Sequence, residues 1–138
     1  MIILDTNVIS EIMKPAPLPE VRNWLASFVP GTLFTTTITL SEVLYGVQLV
    51  PKGRRRTVLE GAVDSMFREL KGHIMDFDEP AAHAFAHISA ERRRLGRPIG
   101  ELDAQIAAIA LSHGAAIATR NVRDFADCGV ELIDPWAS

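Results

Sequence analysis

Short continuous apolar runs alternate with stretches of helical periodicity along the whole chain. Ile2-Ile3-Leu4 is too short for a helix and suits a strand buried on both faces. Thr6 or Asn7 then offers a cap for a short helix through Met13, which Lys14-Pro15 ends. Val21, Trp24, Leu25 and Phe28 recur at helical spacing behind Pro19 and predict a second helix. Residues 32–38, rich in threonine and apolar side chains, predict a second strand. Thr39-Leu40-Ser41-Glu42 reads as a capping box opening a helix whose apolar face is Leu40, Val43, Leu44 and Val47.

A longer helix is expected over residues 54–70, with Val58, Leu59, Ala62, Val63, Met66, Phe67 and Leu70 on one side and Gly72 beyond its end. Residues 74–77 suit a short strand, and Asp78-Glu79-Pro80 a helix start; that helix runs to about Leu95 and stops at Gly96. Another begins near Gly100 and carries Leu102, Ile106, Ile109 and Ala110 inward. Residues 115–118 and 130–133 complete the strands. The resulting order, βααβααβααββ, predicts an α/β domain with a mainly parallel sheet.

With 138 residues, the chain is expected to be a single domain over residues 1–138. A chain of this size buries roughly two-thirds of its unfolded surface, so a core needs no covalent staples. Cys128 is the only cysteine, which fits a reducing compartment and a cytoplasmic location. Neither a signal peptide nor a membrane-length apolar run is visible. The net charge of −3 argues against bulk electrostatic binding of nucleic acid. Two basic runs stand out locally, Lys52 with Arg54 to Arg56, and Arg92 to Arg94 with Arg97. Either is a solvated helix face or a contact for RNA phosphates.

The acids carry the chemistry. Asp5 follows the first strand, Glu42 opens the helix after the second, and Asp103 lies in the first turn of the helix before the fourth. Asn121 and Asp124 follow that fourth strand. The crevice beyond the carboxyl ends of parallel strands is a usual binding site. Carboxylates at about 5 Å, at an effective dielectric near 20, repel by roughly 3 kcal/mol per pair. Leu4, Val43, Leu102 and Ala104 supply no neighbouring cation in sequence. A hard divalent ion, Mg²⁺ or Mn²⁺, would relieve the repulsion and assist phosphodiester hydrolysis. Removing one charge by Asp5→Asn is then expected to stabilise the metal-free chain. Each acid also has a plainer role: Asp5 and Asp124 as turn caps, Glu42 as half of a capping box, Asp103 as a helix-dipole partner. Two further candidates carry little. His83 and His87 lack a third ligand, and Cys128 lacks an activating neighbour.

Leu4-Asp5-Thr6-Asn7-Val8, Ser41-Glu42 with Gly46, Leu102-Asp103 with Ile106-Ala107, and Ala118-Thr119-Arg120-Asn121 with Asp124-Phe125 occur in that order. Together they resemble the signature of the PIN-domain ribonucleases. The likeness is to VapC-type toxins of bacterial toxin–antitoxin pairs, in particular the FitB-like branch, and it runs over essentially the whole chain. It implies a three-layer α/β/α fold with a parallel five-stranded sheet, Mg²⁺-dependent cleavage of RNA, and a homodimer. It further implies an antitoxin that blocks the site and carries the complex to operator DNA. Asp5, Glu42 and Asp103 take the three core acidic positions. Thr6, Asn7 and Thr119 match polar positions that orient ligands or water. The fourth acid of the family falls on Asn121, which offers only a neutral amide, and Asp124 is the available substitute. Two alternatives stand beside this. A haloacid-dehalogenase-like phosphatase would use Asp5 as nucleophile but expects an aspartate where Asn7 stands. A degenerate PIN domain would act only as a binding module.

Overall fold

A computed structural model describes residues 1–137. Five short parallel strands form the middle layer: β1 (Ile2–Leu4), β2 (Leu33–Thr36), β3 (Ile74–Met75), β4 (Ala116–Ala118) and β5 (Leu132–Ile133). Their spatial order is β3-β2-β1-β4-β5, which puts the N-terminal strand at the centre. Ile2 and Ile3 pair with Leu33 and Phe34 on one side, and Ile2, Ile3 and Leu4 with Ala116, Ile117 and Ala118 on the other. Buried on both faces, such a strand must be apolar throughout, as Ile2-Ile3-Leu4 is.

The six helices are α1 (Thr6–Ile12), α2 (Pro19–Ala26), α3 (Thr37–Leu49), α4 (Arg54–Glu69), α5 (Glu79–Arg94) and α6 (Glu101–His113). Side-chain alternation sorts them into two outer layers. Ile3 and Ile117 point to a core made with Ala81 and Ile88 of α5 and with Ile106 to Ala110 of α6. Ile2 and Leu4 face the opposite core, built with Val8, Ile9, Val43, Val47 and Val63. The expected order of elements and the α/β/α layering are both found. None of the helices among the described residues is long and apolar enough to cross a membrane.

Several local expectations need correction. Asp5, rather than Thr6 or Asn7, caps α1, its Oδ1 accepting from the Thr6 amide at 2.8 Å. The helix after β2 starts two residues before the expected capping box, because Thr36 caps it by accepting from the Thr39 amide at 3.0 Å. Glu42 therefore stands in the second turn, where no orphan amide needs it. Leu102 is exposed, and Val58, 65% exposed, lies off the buried face of α4. Both sit near helix starts, where the stripe is least constrained by the neighbouring layer. Arg92, expected on a solvated face, is only 5% exposed.

Candidate active site

The site lies at the carboxyl edge of the sheet, where β1 and β4 end side by side. Asp5 continues β1, its amide donating to the Ala118 carbonyl at 3.0 Å. Its side chain is 4% exposed and fully engaged. Oδ1 accepts from the Thr6 amide. Oδ2 accepts from Thr119 Oγ1 at 2.8 Å and from Asn7 Nδ2 at 3.1 Å. Asn7 Oδ1 in turn accepts from the Arg120 amide at 3.1 Å, so one amide side chain ties α1 to the end of β4. Burial pushes the Asp5 carboxyl above its ordinary range against these three bonds, and the Asp124 charge adds to the rise.

Glu42 accepts from Thr6 Oγ1 at 2.8 Å. Thr6 thus joins two acids, Asp5 through its amide and Glu42 through its hydroxyl, and Thr39 Oγ1 stands 3.4 Å from that hydroxyl. Burial raises Glu42, the Thr6 bond opposes this, and Asp5 raises it further. Asp103, in the first turn of α6, is pushed up to about 6, first by burial and then by the charges of Asp5, Asp124 and Glu42; Arg92 works in the opposite sense. Asp124 lies exposed on a 3₁₀ turn, Val122–Phe125. Asn121 precedes that turn and joins the network only through its amide, which donates to Thr119 Oγ1 at 3.0 Å.

Four carboxylates from four segments therefore lie in one another's field. They are hard oxygen donors, with neither nitrogen nor sulfur among them, which suits a hard divalent cation. Among the described residues, no three His, Cys, Asp or Glu side chains are gathered, as placed, into a ligand set for one ion. Coordination by one or two carboxylates with retained water, the habit of Mg²⁺, is the mode such a set suits. Beside Thr6 and Glu42 opens a cleft of about 410 Å³, walled by Ser10, Met13, Val43 and Gly46. A larger cleft of about 500 Å³, lined by Phe28, Met66, Glu69 and His73, contains none of these four acids.

His83 and His87 are exposed on α5, and Cys128 is buried. Arg92 is the charged residue that its sequence neighbours place wrongly. It lies four residues past Ile88 and eleven past Ala81 on the buried stripe of α5, and that phase was the available signal.

The PIN-domain family model matches residues 2–130. The chain is 36% identical over 137 residues to VapC ribonuclease Y4jK of Sinorhizobium fredii, covering 99% of this chain and 98% of that protein. It is also 36% identical over 137 residues to Toxin FitB of Neisseria gonorrhoeae, covering 99% of each. A solved structure of FitAB bound to a DNA fragment superposes with a TM-score of 0.92 at 36% identity, covering 99% of this chain and 96% of that one.

Proposed function

Since the chain belongs to the PIN-domain family, we propose that it is a metal-dependent endoribonuclease, the toxin of a toxin–antitoxin pair, acting through Asp5, Glu42 and Asp103. The carrying observation is that Thr6 joins Asp5 to Glu42 through its amide and its hydroxyl at the end of β1, with Asp103 close enough to be raised by burial and by the charges of these acids, although the residues are far apart in sequence. Perturbed carboxyls concentrated at a sheet's carboxyl edge mark a reaction centre. The phosphatase alternative falls with the family assignment. Asn7, where that alternative expects an acid, serves here to hold Asp5 and the Arg120 amide.

Asp5, Glu42 and Asp103, one or two of them directly and the rest through retained water, would hold Mg²⁺ or Mn²⁺, which supplies Lewis acidity towards the phosphate and the attacking water. The chain's own residues do the orienting. Asp5 cannot turn, because three donors fix both its oxygens. Thr6 sets Glu42 relative to Asp5. Asp124, and Asn121 beside it, stand at the rim where a fourth ligand or a water would be held. We take residues 1–138 as one domain working in the cytoplasm, and an antitoxin covering the site as the link to operator DNA. A homodimer belongs to the same proposal; Leu44, Tyr45 and Leu49 on α3 are exposed apolar side chains for a second copy to cover.

The direct test is RNA incubated with antitoxin-free protein. Cleavage is expected with Mg²⁺ or Mn²⁺, none with EDTA, and ends carrying 5′-phosphate and 3′-hydroxyl. Cleavage that persists in chelator, or cyclic phosphate ends, would rule out metal-assisted hydrolysis. A second expectation ranks the rim below the centre. Asp124→Ala should slow cleavage by about tenfold, less than any change at Asp5, because Asp124 is exposed and makes no bond to the central acids. An Asp124→Ala protein that folds but is inert would reverse that ranking.

A further inference from the structure

Arg92 is a buried cation whose hydrogen bonds run to uncharged acceptors. Its Nε donates to the Arg97 carbonyl at 2.7 Å, and its Nη1 to the carbonyls of Asp124 at 2.8 Å and Ala126 at 3.0 Å. Nη1 also lies 3.7 Å from Cys128 Sγ. A buried guanidinium is expensive unless its donors are satisfied, and charged hydrogen bonds of this kind are the strong ones. Here one is spent on the Arg97 carbonyl just beyond α5, and two on the 3₁₀ turn and the residue that caps it. Two of the carbonyls leave that turn at its C-terminal end, where a cation is favoured. The neighbouring Arg97 adds an ion pair to Asp127 on the same segment. An ordinary core position would hold an aliphatic side chain here, as Ile88 does one turn earlier.

We propose that Arg92 is a positioning residue of the nuclease: by holding the carbonyls of Asp124 and Ala126, it fixes where the Asp124 carboxylate stands beside the acid site. The inference rests on the nuclease reading above. Arg92 touches no substrate; it acts through the backbone of the residue it positions. Lysine retains the charge, but its ammonium falls one bond short of the Nη1 position and it has no Nε for the Arg97 carbonyl, so it cannot hold all three carbonyls at once.

The test combines cleavage kinetics with amide hydrogen exchange on the full chain. Arg92→Lys should lower kcat by about tenfold with KM nearly unchanged, as loss of an outer positioning contact does. In an Asp124→Asn background, the same substitution should cost nothing further, because its effect passes through Asp124. Exchange should quicken at residues 121–128 and stay as in the natural protein elsewhere. Unchanged kcat, losses that multiply with those of Asp124→Asn, or faster exchange throughout the chain would each overturn the proposal. If Arg92→Lys fails to fold, Arg97→Gln loosens the same segment from an exposed position. The same kinetics and exchange are then measured on it, and the same results support or overturn the proposal. A natural protein that folds but cuts no RNA would instead defeat the nuclease reading, and the positioning role with it, whatever exchange shows at the loop.

Discussion

Asp5→Asn is expected to slow RNA cleavage by about a thousandfold, with KM changed only a few-fold. The substitution removes one negative charge from the centre of the site at almost no change in shape. It also disturbs the network, since an amide presents a donor on one side where Asp5 presents acceptors on both. Thr119 Oγ1 and Asn7 Nδ2 both donate to one Asp5 oxygen, so an asparagine must leave a donor facing a donor on one edge. Thr119→Val keeps the shape and the charge but deletes one of these bonds, along with the acceptor for the Asn121 amide, and should cost about tenfold. Comparing the two separates the charge of Asp5 from its orientation. An Asp5→Asn protein retaining more than about a tenth of the natural rate would remove Asp5 from the reaction.

Asp103→Asn is expected to melt higher than the natural protein in EDTA, by about 3–5 °C, while being inactive. The Asp103 carboxyl is raised from 3.8 to about 6 in the folded chain. Between those two pH values the folded chain binds the proton that the unfolded chain has lost. Stability therefore falls as pH rises from about 4 to 6, and the deficit is complete above 6. The shift corresponds to an upper bound of about 3 kcal/mol, which partial solvent access reduces to about 1 kcal/mol. Asparagine lacks this slope. Mg²⁺ should raise the melting temperature of the natural protein by mass action and that of the variant much less. Melting curves at pH 4.5 and 7.5, with EDTA and with millimolar Mg²⁺, decide the matter. A variant no more stable at pH 7.5, with no response of the natural protein to Mg²⁺, would mean that Asp103 is neither desolvated nor pressed by the neighbouring acids. Asp5→Asn, expected from sequence to be the stabilising change, is the poorer choice. Its donor–donor conflict offsets the charge it removes, whereas no hydrogen bond of the Asp103 side chain is lost.

The strand-and-helix order was legible because each element carries its own period, from Ile2-Ile3-Leu4 to the Ile106–Ala110 run. The three central acids were legible because each sits at a strand end or an early helix turn. What joins them was less so. Thr6, Asn7 and Thr119 looked like polar matches; the first two donate to Asp5 from one and two residues away, and only the register of β1 against β4 brings Thr119 to it. Thr36 displaced the expected cap at Thr39 because a strand running directly into a helix leaves no loop in which to delay the start. Arg92 was misplaced because a run of arginines reads as a solvated surface; the buried position belongs to its phase along α5, not to its composition.

The central place of β1 has a bearing on how the protein comes into being. The strand made first must wait for the partner made nearly last, since Ile2, Ile3 and Leu4 pair with Ala116, Ile117 and Ala118. The contact between Asp5 and Thr119 closes a span of 114 residues. No fragment ending before Thr119 contains the complete Asp5 environment, and at ribosomal speeds the two ends are separated by about ten seconds of synthesis. A nascent chain thus carries all of its early acids, yet lacks the hydroxyl that holds the first of them in place, and a prematurely terminated product is born with Asp5 unfastened.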